Sequence, residues 1–196
     1  MYQLKSGDTV LIKTKGFLPS AIRWFQGYSR NHSLKIVKNN GIFYVGEAIG
    51  EGAFNLPIKK YLNKKYLEFT VLEFPKKLTV KQEKDFFNYT MSLQNINYEK
   101  KNLLWHQAIK YLSKKIFGHD KWIGAKNEKE GMKGFICGEL TEHYDNWLSK
   151  LIGLYPHLSW DWWKGSPERL YNNWAYKKHE DYDFKKWIEE QIINHK

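Results

Sequence analysis

Apolar and polar positions divide this chain into a strand-patterned first part and a helix-patterned remainder. Thr9-Val10-Leu11-Ile12 follows the turn residues Ser6-Gly7-Asp8 and reads as a short strand. Residues 17–25 read as a short helix: Pro19 suits a first turn, and Leu18, Ile22 and Phe25 share a face. After a loop over 27–31, Leu34 and Ile36 alternate with Ser33 and Lys35, which predicts a strand over 32–37 that opens on a histidine. Lys38-Asn39-Asn40-Gly41 is a hairpin turn, because Asn-Gly adopts positive φ at low cost, and the returning strand covers 42–48. Gly50-Glu51-Gly52 is a further turn, and residues 57–62 read as a single helical turn. The clearest strand is 66–74, with Leu67, Phe69 and Val71 against Glu68 and Thr70, stopped by Pro75.

Helical periodicity takes over from there. Thr79 and Gln82 form a capping-box pattern for a helix that reaches about Gln94 with Phe86, Phe87, Thr90 and Leu93 inward. A second helix is predicted over 103–117 and a polar, glycine-containing loop over 118–133. Cys137, Leu140, Tyr144, Trp147, Leu148 and Leu151 recur at steps of three and four, so a helix begins at or near the cysteine. Trp160, Trp162, Trp163, Trp174 and Trp187 then enrich the last quarter. Ser166 as cap, Pro167 at the first helical position and Glu168 behind it start a short helix. Residues 181–194 read as a terminal amphipathic helix through Phe184, Trp187, Ile188 and Ile192. The expectation is one α+β domain over 1–196, with 153–196 a Trp-rich helical extension. The tryptophans fit an added layer packed on the core better than an exposed carbohydrate or lipid face.

Composition narrows the class. A chain of 196 residues with 42% apolar residues is long enough to bury a core and too apolar for disorder. One cysteine excludes an intramolecular disulfide and a multi-cysteine zinc site. The stretch from Met1 to Asp8 has no long apolar run, and no window approaches the ~18 apolar residues of a membrane span. A soluble protein without a signal peptide is expected, cytoplasmic or delivered by another route. The net charge is +11, carried by scattered lysines and pairs such as Lys59-Lys60 and Lys114-Lys115. No basic block, RNP-type motif, recognition helix or zinc-finger spacing is present, so no specific nucleic-acid partner is expected. The charge fits solvated lysine faces, or attraction to an anionic polymer or membrane surface.

Three residues are chemical candidates. A thiol at a helix N-terminus meets unpaired N–H groups and the positive end of the macrodipole, and both favour the nucleophilic thiolate. Taken alone, Cys137 reads as readily as a small buried hydrophobe. With the turn at Asn39-Asn40 or Asn40-Gly41, His32 and Glu47 lie near the same open end of the hairpin. A carboxylate there fixes the imidazole tautomer and stabilises its charge; it serves equally as a cross-strand surface pair worth a few tenths of a kcal/mol. Together, Cys137, His32 and Glu47 are the nucleophile, base and orienter of covalent acyl transfer. His106, His119, His143, His157, His179 and His195 show no such partner spacing. Glu139, Glu142 and His143 are ordinary for an exposed helix face, and no metal or cofactor is expected.

Four stretches carry a family resemblance. Gly7-Asp8-Thr9-Val10-Leu11-Ile12, Asn31-His32-Ser33-Leu34-Lys35-Ile36-Val37, Val45-Gly46-Glu47-Ala48 and Phe135-Ile136-Cys137-Gly138-Glu139-Leu140, taken in that order, resemble the circularly permuted NlpC/P60 proteins of the YiiX/YebB type. The resemblance covers 6–62 and 134–170. It implies a permuted papain-like fold, an antiparallel sheet packed against the cysteine-bearing helix with extra helices. It also implies a cysteine hydrolase with Cys137 as nucleophile, His32 as base and Glu47 as orienter, working through a thioester acyl-enzyme. Gly138 stands where the family usually has serine, and Lys35 where a small residue is common. Acyltransferase relatives carry a second histidine and an N-C-E-H motif; Glu47 and Ile136-Cys137-Gly138-Glu139 stand here instead, which favours a hydrolase. The expected substrate is an amide bond in cell-wall peptides. The alternatives are a lipid-directed thiol hydrolase or acyltransferase, and an idle binding module on the same fold. Wall peptide is preferred because the sequence displays no hydrophobic anchor of the kind a lipid enzyme uses.

Overall fold

A computed structural model describes residues 2–26, 28–49, 52–62, 66–96, 137–154, 167–172 and 175–193. Its centre is a six-stranded sheet in the order β4-β3-β2-β1-β5-β6, every neighbouring pair antiparallel. The strands are β1 (Thr9–Thr14), β2 (His32–Asn39), β3 (Ile42–Ile49), β4 (Gly52–Pro57), β5 (Tyr66–Glu73) and β6 (Lys177–His179). Helix α1 (Phe17–Gln26) joins β1 to β2, a 3-10 turn (Ile58–Tyr61) follows β4, and α2 (Val80–Ser92) follows β5. Helices α3 (Cys137–Leu151), α4 (Pro167–Asn172) and α5 (Phe184–Ile193) come later.

Both faces of the sheet are covered. Leu11, Val37, Ala48, Ala53 and Leu72 pack with Phe86 of α2 and with Leu140, Tyr144 and Leu148 of α3. Val10, Ile12, Leu34, Ile36, Val45 and Val71 pack on the other side with Phe184, Trp187 and Ile188 of α5. Burial on both faces explains why β1 carries a continuous Val10-Leu11-Ile12 run instead of alternation. Trp187 is fully buried, as an added packing layer requires. The other four tryptophans of the last quarter lie outside the described residues, as do the expected helix over 103–117, the loop over 118–133 and the cap Ser166.

Local chemistry fixes the element ends. Asn40 and Gly41 have φ of 49° and 83°, so they form the hairpin turn, and the register runs from Lys35↔Gly46 to Asn39↔Ile42. The capping box is made: Gln82 N–H donates to Thr79 Oγ1 at 3.3 Å, and Thr79 N–H donates to Gln82 Oε1 at 2.9 Å.

Two strands depart from expectation. β4 begins on Gly52 and ends on Pro57, which is tolerated because it is an edge strand. The helical turn starts only after it, at Ile58. β6 is Lys177-Lys178-His179, with no apolar residue to signal a strand; it is held by backbone pairing to Val71, Leu72 and Glu73. The segment over 153–196 is therefore not purely helical, since it supplies the sheet's other edge.

Candidate active site

α3 and β2 each begin on a candidate residue, Cys137 and His32. The helix lies along β2 and β3, held by a buried polar stripe. Ser33 Oγ donates to the Cys137 carbonyl at 3.0 Å and lies 2.9 Å from Thr141 Oγ1. Two residues further along β2, Lys35 pairs with Asp145, four residues further along α3. Two strand residues advance about 6.6 Å and four helical residues about 6.0 Å, so the two elements stay in step. Gly46 permits this approach: a Cβ there would meet the Tyr144 ring at 3.0 Å.

Residue parity decides where the site forms. Ser33 and Lys35 face α3, whereas His32 shares its side of the strand with Leu34 and Ile36 of the opposite core. A thiol on one layer and an imidazole of the other parity meet only at the strand end, where β2 begins. The Cys137 sulfur lies there, 3.9 Å from the Asn31 carbonyl.

His32 is held on two sides. Its Nε2 lies 2.8 Å from Glu47 Oε2, and a second hydrogen bond runs to Cys137, which leaves Nδ1 as the nitrogen facing sulfur. The His32 side chain is 15% exposed and that of Glu47 is 1% exposed. Burial works against charging His32, but the Cys137 thiolate, the bond to it and the Glu47 carboxylate outweigh it and raise its pKa from 6.5 to about 10. Burial likewise pushes the Cys137 thiol up. The His32 charge, its hydrogen bond and the N–H groups of Ser33 and Gly138 reverse that, and the thiol ends below its ordinary value. Both shifts favour a thiolate–imidazolium pair over the neutral thiol and imidazole.

Glu47 is itself clamped. While Oε2 faces His32, Oε1 accepts a hydrogen bond from the buried Tyr61 hydroxyl at the end of the 3-10 turn. Burial and the neighbouring carboxylate hold the Tyr61 hydroxyl far above its ordinary pKa, so it is a permanent donor. Sequence reasoning missed Tyr61; its only signal was the helical turn after Pro57, which aims a side chain back over β3.

The other candidates lie elsewhere. His143 meets the Tyr89 hydroxyl, and burial together with the Lys150 charge lowers its pKa from 6.5 to about 4. His179 on β6 bonds Glu73 at 3.0 Å and stacks on Tyr2. His106, His119, His157, His195 and the Glu139 side chain lie outside the described residues. Glu142 is buried, not on an exposed face.

No protein-family model matches the chain, and no curated protein matches it. Among solved structures it matches the crystal structure of the metalloprotein YiiX from Escherichia coli O157:H7, with a TM-score of 0.61 over 92% of this chain and 99% of that one. The fold is YiiX-like. At 13% identity the likeness to YiiX speaks for the fold alone. A metal does not fit the described residues of this chain: no three His, Cys, Asp or Glu side chains among them group as ligands, and both His32 ring nitrogens are engaged.

Proposed function

We propose that this protein is a papain-like cysteine hydrolase that cleaves an amide or ester through a thioester acyl-enzyme. One observation carries the reading: a buried thiol and a buried carboxylate hydrogen-bond the two nitrogens of one imidazole. The Cys137 thiolate attacks the substrate carbonyl carbon, and the electron pair of the C=O bond moves to oxygen. The Cys137 backbone N–H, which as first residue of α3 has no intrahelical acceptor, stabilises that oxyanion. As the tetrahedral species collapses, His32 Nδ1 gives its proton to the departing amine or alcohol. His32 then takes a proton from water, whose oxygen attacks the thioester. The acid leaves, and sulfur recovers the electron pair of the broken C–S bond. Throughout, Glu47 accepts from Nε2–H and keeps Nδ1 aimed at sulfur.

Cell-wall peptide stays the first substrate to test, by release of new amino groups from purified peptidoglycan. A second reading, acyl ester hydrolysis at a lipid surface, is favoured by the exposed aromatic residues of α1. Release of fatty acid from phospholipid vesicles tests it. Both activities must vanish in Cys137→Ala. Absence of turnover on every acyl substrate, together with a thiol that reacts only in denaturant, would refute the hydrolase reading.

A further inference from the structure

We propose that Ser33 is a positioning residue for the thiol, holding Cys137 at two points, its hydroxyl on the carbonyl and its backbone N–H on the sulfur. Ser33 is fully buried on the side of β2 that packs against α3. Val37, of the same parity, fills that side with an apolar side chain. Packing alone therefore does not call for a hydroxyl at 33. The Ser33 hydroxyl donates to the Cys137 carbonyl at 3.0 Å and lies 2.9 Å from Thr141 Oγ1, which donates to the same carbonyl at 2.9 Å. Thr141 and Cys137 both belong to α3. Ser33 is the member of the triangle that ties Cys137 to the strand.

The backbone contact comes from the way β2 parts from β3. Alternate residues of an antiparallel strand turn their N–H groups to opposite neighbours. Ile36 N–H donates to the Asp8 carbonyl at 2.8 Å, so even-numbered residues of β2 serve the β1 side and odd-numbered ones the β3 side. The β2–β3 register starts only at Lys35↔Gly46, although β2 begins at His32. β3 meanwhile stays with β4 through Ile49↔Gly52. The N–H of Ser33 is thus turned toward β3 at a point where the ladder has opened, and it goes to the Cys137 sulfur instead. The sulfur takes the acceptor place of a β3 carbonyl.

His32 is the neighbour of Ser33 on β2, so a cysteine fixed to Ser33 is fixed relative to the imidazole. Helix ends fray, and Cys137 is the first residue of α3. Held at its carbonyl and at its sulfur by one strand residue, it cannot swing the sulfur away from His32 by moving either backbone or side chain. The inference deepens the hydrolase reading and rests on it for its purpose, not for its test.

The test reads Cys137 in the full-length protein without substrate. In Ser33→Ala the apparent pKa of alkylation by iodoacetamide should rise by about half a pH unit or more, because the sulfur is no longer aligned on its donors. Thr141→Val should leave the profile in place, since that hydroxyl binds the carbonyl from within α3. Each variant loses one buried hydroxyl, so a purely structural role would lower both unfolding midpoints and move neither profile. Both leave His32 with Glu47, and the Lys35–Asp145 pair, intact. In the wild-type protein the Ser33 amide proton resonance should move downfield as Cys137 ionises and should stop doing so in Cys137→Ala. The Leu34 amide, turned to the β1 side, should move much less. An unmoved profile in Ser33→Ala, an equal shift in Thr141→Val, or a Ser33 amide that ignores Cys137 ionisation overturns the proposal. The expected shifts in a protein that turns over no acyl substrate uphold the positioning and refute only the hydrolase.

Discussion

Lys35 of β2 and Asp145 of α3 form an ion pair sealed from solvent, with side chains 0% and 1% exposed. The pair is completed by Thr9 Oγ1, which accepts from Lys35 at 2.9 Å, and by the Tyr176 hydroxyl, which donates to Asp145. Burial pushes the Asp145 carboxyl above its ordinary value, and the Lys35 charge and the hydrogen bonds from Lys35 and Tyr176 pull against it without cancelling it. The network joins β1, β2, α3 and the segment just before β6, and it lies directly behind Ser33 and Cys137. It sets where α3 sits on β2, and hence how the thiol meets His32.

Removing one charge of such a pair strands the other. Lys35→Met should cost about 3–5 kcal/mol in urea unfolding, and adding Asp145→Leu should recover much of it. A single-variant loss below about 1 kcal/mol would show a pair no stronger than an exposed one.

The sequence displayed the parts of the site that follow local rules. The Asn40-Gly41 turn places Glu47 near His32 through register alone, and the periodicity from Leu140 to Leu151 starts α3 at the thiol. What depends on long-range packing was hidden. Lys35 looked like a solvent-side residue alternating with Leu34 and Ile36, since nothing local announces a carboxylate more than a hundred residues away. Tyr61 points at Glu47 only because β4 and the 3-10 turn fold back over β3. β6 is invisible by composition, being an edge strand made by backbone pairing to β5.

The ion pair predicts a pH profile. Thiolate forms below the ordinary thiol value of 9.0, so alkylation of Cys137 by iodoacetamide should rise with pH through an apparent pKa under that value. His32 carries its proton below about 10 and loses it above. Acylation needs that proton, so turnover should rise through the thiolate pKa and fall again as pH passes about 10. In His32→Ala the alkylation pKa should move up toward that of a free thiol, because the charge and the hydrogen bond are gone. An alkylation profile unchanged by His32→Ala would break the pairing.

Base and orienter should separate kinetically. His32→Ala removes both the charge that holds the thiolate and the proton donor, and should lower kcat about 10²–10⁴-fold. Glu47→Gln keeps a hydrogen-bond acceptor in place and should preserve most thiol reactivity while lowering kcat roughly tenfold or more. Equal and negligible effects in the two variants would remove both residues from the reaction.

Tyr61 acts through Glu47, and its role is measurable by coupling. Tyr61→Phe keeps the ring that lies 6.4 Å from Tyr66 and removes only the hydroxyl that donates to Glu47 Oε1. A buried hydrogen bond to a charged group is worth about 1.5–3 kcal/mol, and a loss of stability in that range is expected from urea unfolding. With Oε1 released, the carboxylate can turn away from His32 Nε2, so kcat should fall several-fold at unchanged KM. Stability loss alone would not distinguish a positioning residue from one that fills space. The discriminating measurement is the double variant with Glu47→Gln. If Tyr61 works by holding that carboxylate, its substitution should cost little further kcat once the carboxylate is gone, and the two single effects should fail to add. Additive effects on kcat would confine Tyr61 to packing.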